Sequence, residues 1–379
     1  MKKCLEGSHA VALTVNACKP KVVSAYPITP QTHIVEDLSK LLNDGKADFE
    51  FVRAESEFAA ASMVLGASAT GVRTYSATSS QGLLLMTEVL FTIAGMRLPV
   101  VMTCANRAVS APINIWNDQQ DSLTVRDSGW IMLYAEDNQE AVDLHPLAFK
   151  VAEKLRIPVM VNMDGFILTH TFETVSLPGE KELKKYLGIY KGEKGQILDI
   201  NNPVTLGAFA TPEHYLEIRE DLQLDMLASL KTLKAEAKNY KNIFGQGSDK
   251  FVEYYGAKNA KVVFVAMGSV LGTIRETVDE LNKSGKPAGV VKIKCFRPLP
   301  SADLIKALSP FKKIAVIDKA ISLGNEGIVA TEIKAVLQGT KKDITSVVAG
   351  LGGRDITREK LKIVYQKVLT GESGLMFLN

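Results

Sequence analysis

The chain has little cysteine, no long apolar run and almost no net charge. Of its 379 residues only four are cysteines, Cys4, Cys18, Cys104 and Cys295, and none belongs to a C-x-x-C pair. That spacing excludes an iron–sulfur or zinc site built from this chain's own thiols. Cys104 and Cys295 fall in apolar runs and read as plain buried thiols, and the set as a whole points to a reducing, cytoplasmic compartment. If this protein handles electrons, the metal centres lie on another chain. No apolar run approaches the ~20 residues that cross a bilayer. The start, Met1-Lys2-Lys3, is followed by Glu6, His9 and Asn16, which leaves no signal core. Net charge is +3 with the lysines scattered, so nothing marks a nucleic-acid groove.

What is present is an α/β rhythm. An apolar share of 46% and a charged share of 23% are those of an ordinary globular chain, and 379 residues favour two domains. Strand-like runs at 21–26, 49–53, 73–77, 99–105, 131–135 and 158–163 alternate with helix-like segments at 31–43, 56–70, 79–96 and 138–155. Continuously apolar strands in this order predict a parallel sheet covered on both faces. The rhythm stops after Asp164-Gly165-Phe166, and 172–210 reads as an irregular excursion. Thr211-Pro212-Glu213 then opens a long amphipathic helix running to about 244, with Thr as cap and Pro at its first position. A second, smaller parallel α/β block follows, with strands at 261–267, 289–295, 313–318 and 344–349 and helices near 271–284, 301–309, 325–337 and 357–369. The expected division is a domain over 1–245, a linker over 246–258 and a second domain over 259–379.

Four strand-to-helix junctions in the first block carry polar residues. The first is Tyr26-Pro27-Ile28-Thr29-Pro30-Gln31-Thr32. Two prolines leave this turn little conformational freedom to lose, so its hydroxyls are held in advance, at the sheet edge where open α/β folds bind ligands. The plainer reading makes Thr29 a helix cap and Pro30 the first helical residue. The second junction, Arg53-Ala54-Glu55-Ser56-Glu57, opens a helix over 56–70 that is apolar nearly all round and is expected to be buried. A carboxylate in its first turn either answers the helix dipole or stands at the rim of a dry pocket, able to share a proton with a ligand nitrogen.

The third junction, Ser76-Ala77-Thr78-Ser79-Ser80-Gln81-Gly82, joins small hydroxyl residues to a glycine and would let backbone amides approach a ligand, although helix capping also explains it. It is not a phosphate loop, for it lacks G-x-x-x-x-G-K-[ST], and the first block has no G-x-G-x-x-G. The fourth, Asn106-Arg107, sets a guanidinium at the same edge, a natural fork for a carboxylate. The loop 112–129 beyond it holds Asn114, Trp116, Asn117, Asp118 and Asp121, and suits a wall or lid over a pocket or a surface loop of solvated acids. In the second block, 296–300, 318–324 and 350–355 close successive strands at one edge, as a contact surface or as plain turns.

Read together, these stretches resemble the alpha subunits of the pyruvate and related 2-oxoacid:ferredoxin oxidoreductase family, thiamin-diphosphate enzymes of anaerobes. The resemblance rests on YPITPQT at 26–32, ESEFAAAS at 55–62, SATSSQGLLLM at 76–86, NRAVSAPINIW at 106–116, DGFILTHT at 164–171, FRPLP at 296–300 and GLGGRDIT at 350–357. It implies a pyrimidine-binding thiamin-diphosphate domain followed by a transketolase C-terminal-like domain. It implies that Glu57 hydrogen-bonds N1′ of the aminopyrimidine, with Glu55 the weaker candidate. Thr29 would contact the substrate carbonyl and Arg107 the substrate carboxylate. Pro27, Ile28, Ser79 and Gln81 are the further cofactor contacts it suggests.

The diphosphate, its Mg²⁺ and the nearest [4Fe–4S] cluster would lie on a beta subunit, beside gamma and delta (ferredoxin-like) subunits, with no metal ligand on this chain. The reaction implied is reversible oxidative decarboxylation of a 2-oxoacid, pyruvate first, with coenzyme A taking the acyl group and electrons reaching ferredoxin. One departure stands out: where a histidine is expected after the aspartate of the lid loop, this chain reads Asp118-Gln119-Gln120-Asp121, which puts the loop's role and the choice of 2-oxoacid in question. Three other readings stay open: another 2-oxoacid such as 2-oxoisovalerate, a nonoxidative or transketolase-like thiamin enzyme that needs no cluster, and a noncatalytic α/β scaffold.

Overall fold

Residues 2–379 are described by the computed structural model, and within them the apolar runs assemble into two main sheets. The first has seven strands in the order Glu50–Arg53, Val22–Ala25, Thr74–Thr78, Val101–Asn106, Val159–Asp164, Ile131–Tyr134 and Cys295–Arg297. All pair in parallel except the last. The strands Thr74–Thr78, Val101–Asn106, Ile131–Tyr134 and Val159–Asp164 are buried along their whole length, which is why their sequences show no alternation. Helices Gly7–Ala17, Thr32–Asn43 and Asn138–Leu155 cover one face. Helices Glu57–Ala69 and Thr87–Gly95 cover the other, in a core that runs on into the second sheet through Val263, Val265, Val291 and Val316.

The chain leaves Val22–Ala25 outward to Glu50–Arg53 and then returns inward to Thr74–Thr78. Winding therefore reverses between two neighbouring strands, and a crevice opens outside their carboxyl ends. The turns 26–31 and 79–82 flank that crevice.

The second sheet has six strands, ordered Gly374–Leu378, Asp343–Ala349, Lys313–Asp318, Val262–Ala266, Ala288–Ile293 and Val252–Gly256, with only the last antiparallel. Two expectations need correcting here. The segment 246–258, read as a linker, contains the edge strand Val252–Gly256; it is half-open to solvent and carries no alternation to betray it. The run 289–295, read as one strand, is split: Ala288–Ile293 belongs to the second sheet, while Cys295–Arg297 completes the first. Both parts are buried, so their apolar character looks continuous. The two domains are thus stitched by a shared strand as well as by packing.

The stretch 172–210 is also less irregular than its composition suggests. Phe172–Ser176 pairs antiparallel with the amino-terminal strand Lys2–Glu6, and Glu180–Leu187 is helical. The long helix spans Pro212–Phe244 with Pro212 in its first turn, and Thr211 precedes it without a side-chain cap bond. The helix expected over 79–96 breaks at Met86 into Ser80–Leu85 and Thr87–Gly95. Among the described residues no helix is long and apolar enough to cross a membrane.

Candidate active site

The first turn is held by a residue that sequence reasoning passed over. Gln31 is fully buried; its Nε2 donates to the Ala77 carbonyl at 2.6 Å and its backbone N–H donates to Ile28 O at 2.8 Å. The turn is thereby tied to the neighbouring strand across the crevice. The following helix begins at Thr32, so Thr29 caps nothing and Pro30 precedes the helix. Tyr26, Pro27 and Thr29 face solvent and Ile28 is half-buried.

At the second junction Ser56 is the helix cap, its Oγ accepting from Ala59 N at 3.1 Å. Glu57 follows as the first helical residue and is only 8% exposed. Its carboxylate lies over Gly82: a Cβ at position 82 would stand 2.6 Å from Glu57 Oε1 and 2.7 Å from Thr78 Oγ1. The glycine therefore makes room for the carboxylate. Glu57 has no hydrogen bond or ion pair among the described residues, and beside it Thr78 Oγ1 and Gln81 Nε2 are buried without partners. Buried polar groups are as a rule satisfied, so two such orphans beside a carboxylate without a partner mark a binding surface. The helix is not buried all round as expected: Phe58 is 41% exposed, and Leu85 and Phe91 on the adjoining helices are exposed too. Its apolar outer face is open in the single chain.

The third and fourth junctions share one carboxylate. Ser79 Oγ donates across to the Ala105 carbonyl at 2.7 Å rather than capping its helix. Ser80, in the left-handed region at φ +49, donates its N–H to Asp121 Oδ2 at 2.9 Å. Arg107 N–H donates to the same oxygen at 2.9 Å. Asp121 Oδ1 accepts from Asn106 Nδ2 at 3.0 Å and from Ser122 N at 2.7 Å. Asp121 is fully buried, and burial holds its carboxyl above its ordinary value despite these donors. A strained residue pinned in this way is a usual mark of a site. The Arg107 side chain donates from Nε to Asn114 O at 3.0 Å and from Nη1 to Thr29 O at 2.9 Å, and burial lowers its pKa. Two of its five N–H groups are so used.

The loop after Arg107 divides into two halves. Ile113 and Trp116 are exposed, whereas Asn117, Asp118, Gln119 and Asp121 are buried, so these are not solvated acids. The buried half meets the carboxyl-edge turns of the second sheet. Gln119 N–H donates to Lys319 O at 2.7 Å and its Nε2 to Asp164 Oδ1 at 3.2 Å. Lys319 Nζ reaches Asp164 Oδ2 at 3.0 Å and also Asn117 Oδ1. Burial opposes the charge on Asp164, but Lys319 and Ser269 outweigh it and hold the carboxyl below its ordinary value. Gly352 N–H donates to Asp118 Oδ2 at 3.1 Å, and Asn114 Nδ2 donates to Gly352 O at 3.1 Å. Burial pushes Asp118 up to about 6. The glutamine at the position where a histidine was expected is thus an interdomain contact.

The structure brings Thr29 and Arg107 together directly and sets Glu57 against the Ser79–Gln81 turn, and Asp121 joins the two halves. Pro27 and Ile28 lie on the exposed lip of the crevice. Sequence reasoning missed Gln31 and Thr78, and missed Asp121 as a hub. The only signals for them were a glutamine closing a proline turn and an acid in a long polar loop.

Residues 14–238 match the family described as pyruvate flavodoxin/ferredoxin oxidoreductase, thiamine diphosphate-binding, and residues 260–361 match pyruvate:ferredoxin oxidoreductase core domain II. The chain is 46% identical to the pyruvate synthase subunit PorA of Methanosarcina barkeri, over 98% of this chain and 94% of that one. It is 40% identical to the ketoisovalerate oxidoreductase subunit VorA of Pyrococcus horikoshii, over 96% and 93%. A solved 2-oxoglutarate:ferredoxin oxidoreductase from Magnetococcus marinus superposes with a TM-score of 0.72 at 22% identity, covering 97% of this chain and 65% of that one. A split-gene transketolase superposes with a TM-score of 0.55 at 11% identity. These two likenesses concern the fold.

Proposed function

The chain belongs to the pyruvate flavodoxin/ferredoxin oxidoreductase family, and from that membership we propose that it is the subunit that grips the 2-oxoacid and controls protons on the aminopyrimidine of thiamin diphosphate. It is a subunit of a 2-oxoacid:ferredoxin oxidoreductase. The observation that carries the finer assignment is Glu57, a buried carboxylate without a partner, beside an orphaned hydroxyl and an orphaned amide at a topological switch point. An aminopyrimidine offers ring-nitrogen acceptors on one side and an exocyclic amine donor on another; Glu57 shares a proton with one ring nitrogen, while the leftover Gln81 N–H is a donor and the Thr78 hydroxyl can accept from an amine.

When bound, thiamin diphosphate supplies the nucleophilic carbon and the electron sink that let carbon dioxide leave. Glu57 holds the proton shared with the ring nitrogen, in a site dry enough for that hydrogen bond to count. Thr29, exposed on its rigid turn, donates its hydroxyl to the substrate carbonyl oxygen as negative charge develops there. Arg107 presents its remaining N–H groups to the substrate carboxylate while Thr29 O and Asn114 O fix the guanidinium plane. Ser79 and Gln81 border the cofactor, and Pro27 and Ile28 form the lip. The diphosphate, Mg²⁺ and [4Fe–4S] clusters belong to partner subunits, a beta subunit and the ferredoxin-like gamma and delta subunits. The exposed strip of Phe58, Leu85 and Phe91 beside Glu57 is the surface the beta subunit covers. Coenzyme A is the acyl acceptor, ferredoxin the electron acceptor, and the compartment the cytoplasm. The chain divides functionally at 245, with 259–379 as a bracing domain.

Pyruvate is the first substrate to test. Relatives named for pyruvate and for ketoisovalerate match at 46% and 40% identity, so the panel includes both acids. The assay is viologen reduction by each acid with coenzyme A and thiamin diphosphate, using this chain alone and then with its partners. Turnover that requires an iron–sulfur partner is expected. Turnover by this chain alone, or none with any 2-oxoacid in an assembly holding clusters and cofactor, would overturn the reading.

A further inference from the structure

Three segments far apart in sequence bring together two imidazoles and a carboxylate. Glu6 ends the strand Lys2–Glu6, His33 stands in the first turn of Thr32–Asn43, and His170 lies just before Phe172–Ser176. One ligating atom from each falls within 4.8 Å of the others, and all three side chains are half-buried. We propose that Glu6, His33 and His170 form a site for one divalent transition-metal ion of the zinc class.

Two nitrogens and one carboxylate oxygen are a donor set that suits Zn²⁺ and its tetrahedral surrogate Co²⁺, with water completing the shell. The surroundings are arranged as an outer shell. Thr169 Oγ1 accepts from Phe166 N at 2.8 Å and lies 2.7 Å from His170 Nδ1. That bond engages Nδ1 and leaves Nε2 as the ligating atom, the way a second partner fixes a metal-bound imidazole. The Phe166 ring rests against His170 at 4.7 Å between centroids, and the His33 and His170 rings lie 4.5 Å apart. Glu36 and Asp37 follow His33 on the same helix, so the cluster sits among carboxylates.

His33 Nδ1 and Glu6 Oε1 stand 2.6 Å apart, the spacing of a shared proton. Two ligands at ~2.0 Å from a tetrahedral ion sit roughly 3.3 Å apart, so the ion replaces the proton and the Glu6 carboxylate draws back, a small rotamer change at a half-open site. The ion would staple the end of the amino-terminal strand, the turn 165–170 and the helix that begins directly after the Thr29 turn. The site is independent of the catalytic reading and touches none of its residues.

The test uses the full chain, purified without its iron–sulfur partners and stripped with a chelator. Titration with Co²⁺ is expected to give one equivalent with a visible d–d band that Zn²⁺ then displaces. His33→Ala and His170→Ala should each weaken binding at least ~100-fold and Thr169→Val about 10-fold, while the exposed His214→Ala changes nothing. If the alanine variants fail to fold, diethyl pyrocarbonate on the unaltered chain replaces them: Zn²⁺ should slow modification of His33 and His170 but not of His214. No saturable binding at one equivalent, binding indifferent to His33→Ala and His170→Ala, or equal modification with and without Zn²⁺ would leave an ordinary Glu–His ion pair and overturn the proposal.

Discussion

The turns at the carboxyl ends of the two sheets are built alike, each a buried parallel strand running into a short polar turn and a helix, yet their polar groups end differently. At the second sheet Asp318 accepts from Val329 N at 2.8 Å and Ala330 N at 2.9 Å, and Lys319 is spent on Asp164 and Asn117. Gly352 gives both its backbone groups to the loop of the first domain. At the first sheet Gln31, Ser79 and Asp121 are spent in the same way, but they hold in place a second set that is not: Glu57, the Thr78 hydroxyl and the Gln81 amide. One topology therefore yields a brace where Asp318, Lys319 and Gly352 are satisfied and a site where some groups are held but left over.

The sharpest way to break this contrast is to alter one charge on each side. Glu57→Gln keeps the shape and removes the proton, so turnover of the assembled enzyme should fall about 10³-fold, with circular dichroism and melting unchanged. Full activity would move Glu57 out of the site. Lys319→Met should do the reverse. It leaves Asp164 buried and unpaired, and such a loss costs about 3–5 kcal/mol, visible as a lowered denaturant midpoint of the chain. A loss under ~1 kcal/mol would mean that the seam is not the brace described.

How far the sequence carries depends on which kind of contact is asked about. The parallel strands were legible because burial on both faces writes a continuous apolar run, and each candidate turn was legible because it follows such a run. Partnerships across long separations were not. Ser80 and Asp121 are 41 residues apart, and neither residue type announces the other. Cys295–Arg297 reads as the tail of the preceding strand because both are buried, although they lie in different sheets. Lys2–Glu6 is polar and open to solvent, and only its pairing with Phe172–Ser176 makes it a strand. The burial of the 117–121 half-loop was hidden for the same reason: its partners belong to another domain.

A proton can sharpen the contrast at the seam itself. Burial pushes Asp118 up to about 6 from an ordinary 3.8. The folded chain thus holds this proton more tightly than the unfolded chain, so the contribution is full below pH ~4 and is lost as pH rises through about 6. A displacement of that size is worth at most ~3 kcal/mol. Asp118→Asn has no proton to lose. Its stability relative to the unaltered chain should rise by up to that amount between pH 4 and pH 7 in urea unfolding, then level off. Parallel curves would show that the Gly352 N–H and the Gln120 N–H, which donates to Asp118 Oδ1 at 3.0 Å, already satisfy the charged form.

The smallest changes are the most discriminating, because a glycine on each side makes room for an acid. A Cβ at position 82 would stand 2.6 Å from Glu57 Oε1, 2.7 Å from Glu57 Cγ and 2.7 Å from the Thr78 hydroxyl, on two side chains that no hydrogen bond holds. Gly82→Ala should therefore turn both side chains aside rather than break a bond. Alanine inside the helix Ser80–Leu85 even gains up to ~1 kcal/mol over glycine, so stability should hold while turnover falls about 10-fold. At position 327 a Cβ would collide with the Asp318 carboxylate, which is fastened by two helix amides. Gly327→Ala should lower the denaturant midpoint by about 1–3 kcal/mol's worth, while the folded fraction keeps its turnover. If both variants lost stability alike, Glu57 would be as firmly fixed as Asp318, and the leftover carboxylate on which the proposed site rests would be one more structural acid.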